Sequence, residues 1–244
     1  MSRLRVGVGE FALILVSVFL ALAAERWVAG RADRDLVSQY TEDLRTDLAR
    51  DSATIQVWAR SGQRRAAALE QMLGALNGTA PGLLGAEAVS TMHVAQIVPI
   101  PNFRSATYQD LVSSGNIRLL SASVRRALVQ YHDALAELDR RLALTGYQQK
   151  PEFADLLPAV VRRQFLTECR GTEDPGCFPR VAAEVFPFMS EPEKAVLEGW
   201  TQVPGIRMEL ERTLNGTIGF LDALERVSQT RDETADALRG RDSA

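Results

Sequence analysis

The sequence predicts an all-α protein: an N-terminal transmembrane helix that continues into a long helix, followed by an antiparallel helical bundle. Three observations carry that reading. Ala, Leu, Arg, Glu and Gln dominate and strand formers are sparse, and these five are good helix formers. Phe11 to Ala24 carries no charge. Three long segments repeat apolar residues at three- and four-residue spacing, the period of an amphipathic helix. With 46% hydrophobic residues in 244, the chain can build a sizeable core.

The N-terminal run comes first. Extended back to Leu4, it reaches the roughly 20 residues that a spanning helix needs, whereas the apolar part of a signal peptide has about 7–15. Arg3 and Arg5 precede it, as they would in either case, and Ala21-Leu22-Ala23 resembles a small-residue cleavage site. Trp27 stands just past the run, where an interfacial aromatic belongs. Residues 1–25 therefore read as a membrane anchor and residues 26–240 as a helical extracytoplasmic domain, with cleavage after Ala23 as the competing reading. Glu10 is the one ionisable residue between Val6 and Ala24. It is a candidate for an intramembrane contact. The plainer account puts it near the headgroups, at the positive end of the helix and in reach of Arg3 and Arg5.

From Arg26 to Leu76 there is no proline, and Leu36, Tyr40, Leu44 and Leu48 recur every four residues, followed by Ile55, Trp58, Leu69, Met72, Leu73 and Leu76. This predicts about fifty residues of amphipathic helix, roughly 75 Å of it, with Gly62 as a place to kink. Asn77-Gly78-Thr79-Ala80-Pro81-Gly82 stops it. Glu87–Val98 is a shorter helix, ended by Pro99 and Pro101. Thr107 is placed to cap a short helix to Ser114, and Gly115-Asn116 to end it in a left-handed turn. After an apolar connector, Ile117–Leu120, Ser121 or Ser123 starts a long helix bearing Val124, Ala127, Leu128, Tyr131, Leu135, Leu138 and Leu142. Glu152–Cys169 reads as helix interrupted by Pro158, and residues 170–180 as loop. Pro192 suits the start of a helix through Trp200. Ile206–Leu238 closes the chain with an apolar stripe from Ile206 through Leu210, Leu214, Ile218, Leu221 and Leu224 to Val227.

Compartment is argued from cysteine. Cys169 and Cys177 are the only two, and they flank a loop of turn-forming residues. A short disulfide there suits an oxidising compartment, with two free thiols in a cytosolic loop as the alternative. The flanking arginines do not orient the anchor, since Arg26, Arg31 and Arg34 balance Arg3 and Arg5. A zinc site is disfavoured because His93 and His132 are remote in sequence from the cysteines.

Two stretches carry a family resemblance. Gly9-Glu10-Phe-Ala-Leu-Ile-Leu-Val-Ser-Val-Phe-Leu-Ala-Leu precedes a tryptophan and a charged helix. Thr107-Tyr108-Gln-Asp-Leu111-Val-Ser113-Ser114-Gly115-Asn116-Ile117-Arg-Leu119 precedes Arg125 and Tyr131. Together they resemble an uncharacterised family of bacterial single-pass membrane proteins. The resemblance covers residues 7–50 and 103–140. It implies an anchor in the inner membrane with most of the chain periplasmic or extracellular, and it brings no activity with it.

Chemistry is harder to find. The chain lacks Gly-x-Ser-x-Gly and the phosphate-loop pattern, and Gly7-Val-Gly9 lacks a third glycine and a preceding strand. His132-Asp133 on a helix reads as a polar face before an acid–base pair. A net charge of -3 gives no case for nucleic acid. The best site candidate gathers Arg104, Tyr108, Asn116 and Arg118, which have local structural uses but could also meet an anionic ligand or a partner's carboxylate. The expected role is a membrane-anchored interaction or scaffold protein, without catalysis, metal or cofactor. Its partner would be another membrane or periplasmic protein or a second copy. The alternatives are a ligand-sensing bundle acting through a partner and, last, an enzyme.

Overall fold

The structure, a computed structural model, describes residues 3–98, 101–103, 106–144, 151–169, 174 and 176–240, with the side chains of residues 3–12, 14, 144 and 152 excepted. Among the described residues every regular element is helical. There are eight α-helices: α1 (Arg3–Asn77), α2 (Gly85–Gln96), α3 (Ala106–Ser113), α4 (Ala122–Leu144), α5 (Ala159–Glu168), α6 (Cys177–Val185), α7 (Glu191–Glu198) and α8 (Ile206–Arg239). Short 3-10 turns lie at Asn116–Leu119, Glu152–Leu156, Phe186–Phe188 and Gly199–Gln202.

The three long helices expected from periodicity are α1, α4 and α8. Local chemistry sets most of the boundaries. Ser121 accepts the Val124 amide at 3.3 Å and so starts α4. Ser190 and Glu193 form a reciprocal capping box at the start of α7. Pro158 splits the fifth segment into a 3-10 turn and α5.

Several details differ from the sequence reading. Thr107 does not cap α3: the helix already begins at Ala106, so Thr107 lies inside its first turn, and its hydroxyl donates to Asp47 Oδ2 at 2.6 Å. The helix α6 already begins at Cys177, with Pro179 in its first turn, where no amide is needed. Ile218 is 43% exposed, and Phe220 and Ala223 are buried in α8. The helix α1 continues through Gly62. There the glycine serves close approach, since a Cβ would lie 2.8 Å from Leu221 Cδ2 of α8.

Among the described residues no helix is long and apolar enough to cross a membrane. The apolar run in the sequence begins at Phe11, ahead of Leu13, the first described side chain.

The chain forms two compact units, and α1, α4 and α8 each contribute residues to both. One comprises Met1–Ala49, Arg104–Leu128 and Thr234–Ala244. Its core holds Val37, Tyr40, Leu44 and Leu48 of α1 with Leu111, Leu120, Val124, Leu128 and Leu238. Each such side chain contributes about 1.5–3 kcal/mol on burial. Thr234 Oγ1 donates to the Ala127 carbonyl at 3.1 Å, and Arg45 to that of Leu238 at 3.3 Å.

The other unit comprises Arg50–Phe103 and Val129–Glu233. Its core joins Leu69 and Met72 of α1, Val89 and Met92 of α2, Phe165 of α5, Val181 of α6, and Trp200 and Leu210. Within it α1 and α8 run antiparallel, because Gly62 faces Leu221 while Asn77 accepts from Arg207. Tyr131 donates to the buried Asp51 carboxylate at 2.6 Å. The fully buried Arg65 donates through Nε to the Ala95 carbonyl at 3.0 Å.

Candidate functional site

In the second unit four helices turn polar and aromatic residues toward one cavity of about 550 Å³. That lies within the range of small-molecule sites. The helix α1 supplies Val57, Trp58, Arg60, Ser61 and Arg64; α2 and its exit supply His93, Gln96, Ile97 and Val98; α5 supplies Arg162, Phe165 and Leu166, with Cys169 after it; α6 supplies Phe178. The spacing is helical in each case. Residues 57, 61 and 64, residues 93, 96 and 97, and residues 162, 165, 166 and 169 each share one helix face.

Two devices fix the walls. The ring of His93 stacks on Phe165, with centroids 4.1 Å apart and planes 14° apart, and Phe178 tilts against His93 at 5.6 Å. Cys169 and Cys177 form a disulfide with their Cα atoms 5.8 Å apart. The bond joins the exit of α5 to the start of α6, and so ties Phe165 to Phe178.

The electrostatics are one-sided. Arg60, Arg64 and Arg162 line the cavity, and no carboxylate does so among the described residues. Arg162 is braced: its Nη1 donates to the Ala154 carbonyl at 2.9 Å and to Asp155 at 3.4 Å. Arg64 has no hydrogen-bond or ion-pair partner among the described residues. His93 is 7% exposed. Burial, and then the positive charge of Arg162, push its pKa down to about 4, so the ring is neutral at pH 7. Its Nδ1 and the Gln96 Nε2 are buried without a hydrogen-bond partner, and such atoms are few in folded proteins. A second cavity of about 600 Å³ shares Arg64 and Phe178 but is lined by alanines, small hydroxyl residues and the Glu87 carboxylate. The first is therefore the better place for an anion.

The residues singled out from sequence lie in the other unit. Arg104 falls outside the described residues. Tyr108 is half-buried on α3. Asn116 Nδ2 donates to the Tyr40 hydroxyl at 3.2 Å, and that hydroxyl donates to Asp110 Oδ2 at 2.6 Å. Arg118 is exposed, and its carbonyl accepts from Arg125 at 3.0 Å. The Thr-Tyr-x-Asp segment thus docks on Tyr40 and Asp47 of α1. Glu10 lies in α1, with its side chain outside the described residues. His132, like His93, has its pKa lowered to about 4 by burial, against the opposing effect of Asp133. No group of three His, Cys, Asp or Glu among the described residues is placed to hold a metal ion.

The cavity draws on residues that sequence reading leaves as background: Trp58 within an apolar stripe, Arg64 within a charged face, and His93 as a lone histidine. One sequence signal was available. Arg60 and Arg64 are four residues apart with no acid at the helical neighbours of Arg64, positions 60, 61, 67 and 68. No protein-family model, characterised protein or solved structure matches the chain.

Proposed function

We propose that this is a single-pass inner-membrane protein that displays a helical binding domain outside the cytoplasm and acts as an interaction or scaffold protein. One observation carries the reading: the exposure of the first described part of α1. Leu13, Leu15, Val16, Val18, Phe19, Leu20 and Leu22 are all exposed, Leu13 at 69% and Phe19 at 68%. At 100° per residue these positions spread over roughly 220° of the helix, and Ser17 and Ala21, in the remaining sector, are exposed too. A helix that exposes so broad an apolar surface needs an apolar surrounding, and no described residue supplies one to these side chains. Trp27, 63% exposed, follows them with the Arg31 guanidinium 6.0 Å over its ring. That pairing suits the headgroup layer. The Cys169–Cys177 disulfide supports the oxidising side of the membrane.

The test is fractionation of the full chain with reporters fused at its C-terminus. The expected result is that the chain stays with membranes through alkaline carbonate washing and that a reporter needing the periplasm is active. Release by carbonate, or activity only of a cytoplasm-dependent reporter, would overturn the reading.

A second reading, a ligand-sensing bundle working through a partner, is favoured by the arginine-lined cavity. It is compatible with the first, since both need a displayed binding domain.

A further inference from the structure

We infer that the cavity between α1, α2, α5 and α6 binds an amphiphilic organic anion, a carboxylate or phosphate head on a flat apolar body. This rests on the ligand-sensing reading and does not depend on the anchor.

The charge argument comes first. Three guanidiniums meet at one cavity without a lining carboxylate among the described residues. Arg162 is positioned by the Ala154 carbonyl and Asp155, while Arg64 has no partner among the described residues. Guanidinium favours flat, oxygen-rich anions because its N–H fork matches two oxygens at once. His93 is uncharged at neutral pH, so it neither neutralises nor repels the head group.

The shape argument is independent. Trp58, Phe165 and Phe178 supply aromatic wall, and Ile97 and Leu166 aliphatic wall. A bare inorganic anion would leave that surface wetted, whereas a ring attached to the anion covers it. His93 and Gln96 also line the cavity, and His93 Nδ1 and Gln96 Nε2 are buried without a hydrogen-bond partner among the described residues.

The experiment uses the full chain in nanodiscs of zwitterionic lipid, with empty nanodiscs as the blank for partitioning. Titration calorimetry compares 2-naphthylacetate, 2-naphthyl phosphate and the neutral 2-naphthylacetamide. At least one anion should bind more tightly than the amide by about tenfold or more, the scale of one charge-assisted hydrogen bond. The stronger of the two identifies the head group. Arg64→Gln should remove that preference. Leu166→Glu, at a position 62% exposed and so tolerant of charge, should weaken the anion by more than it weakens the amide. An amide bound as tightly as both anions would overturn the anion assignment and leave a binding cavity in place. No binding by any of the three at about 1 mM, the weak end of specific association, would overturn the ligand-sensing reading with it. A preference for anions unaffected by either substitution would place the site elsewhere and overturn the inference.

Discussion

Protonation of His93 should be a measurable load on the fold. The ring is 7% exposed, sandwiched against Phe165 and Phe178, and shares its cavity with three arginines. In the unfolded chain it titrates near 6.5; in the fold burial and Arg162 lower this to about 4. Between those values the unfolded state binds the proton and the native state does not. Stability therefore rises with pH through this window and is lost as pH falls from about 6.5 toward about 4. Linkage puts the loss between pH 7.5 and pH 4.5 at about 2.5 kcal/mol from this one group. Carboxylates titrate in the same range, so the quantity to measure is a difference. Urea unfolding of the full chain and of His93→Phe, each at both pH values in nonionic detergent, isolates it. The variant keeps an aromatic ring against Phe165, and its stability should fall by about 2.5 kcal/mol less than that of the parent. The chain has two histidines, so imidazole labelling gives two titrating signals, and the one missing in the variant is His93. A midpoint near 6.5 for that signal, or equal losses in the two proteins, would show that the ring is solvated and would refute the reasoning.

Three further outcomes follow from the packing. Replacing Cys169 and Cys177 with alanine releases a short closed loop and should lower the unfolding free energy by about 2.5 kcal/mol on chain-entropy grounds, read as a lower urea midpoint. Tyr131→Phe leaves the buried Asp51 carboxylate short of its 2.6 Å donor and should cost about 1–3 kcal/mol in the same assay, with no change if the pair is solvated. Gly62→Leu drives a side chain into Leu221 and should cost about 1–3 kcal/mol or more from overpacking. Gly219→Leu, where a Cβ meets nothing within 4 Å, should be nearly neutral or stabilising, and equal effects at the two glycines would remove the close-approach account.

Much of the fold was legible because its information is local. The four-residue recurrence of Leu36, Tyr40, Leu44 and Leu48 is a property of one helix, and three of those four are buried. Gly115, at φ +74°, marks the left-handed stop that the Gly-Asn pair announced. Two things were not legible. The division into two units leaves no linker or change of composition, since α1, α4 and α8 supply both. The role of the Thr-Tyr-x-Asp segment depends on Tyr40, 70 positions from its partner Asp110, and on Asp47, 60 positions from Thr107. A motif read alone shows its polar groups but not what already occupies them, as Tyr40 occupies the Asn116 amide.

The cavity was missed for the opposite reason: its residues look ordinary until they converge. An arginine on a helix of this chain is commonly answered by an acid one turn away, as Arg141 is by Glu137 at 2.9 Å and Arg45 by Glu42 at 3.7 Å. Arg64 has alanine at 67 and 68, serine at 61 and another arginine at 60. Like charges four residues apart destabilise a helix by about 0.2–0.5 kcal/mol. The fold then brings Arg162 of α5, itself paired with Asp155 at 3.4 Å, to the same cavity, where no carboxylate among the described residues lines the wall beside Arg64. Neither helix formation nor core packing calls for Arg64 beside Trp58, Phe165 and Phe178, whereas an anion with an apolar body would pair with it and cover the rings in one step.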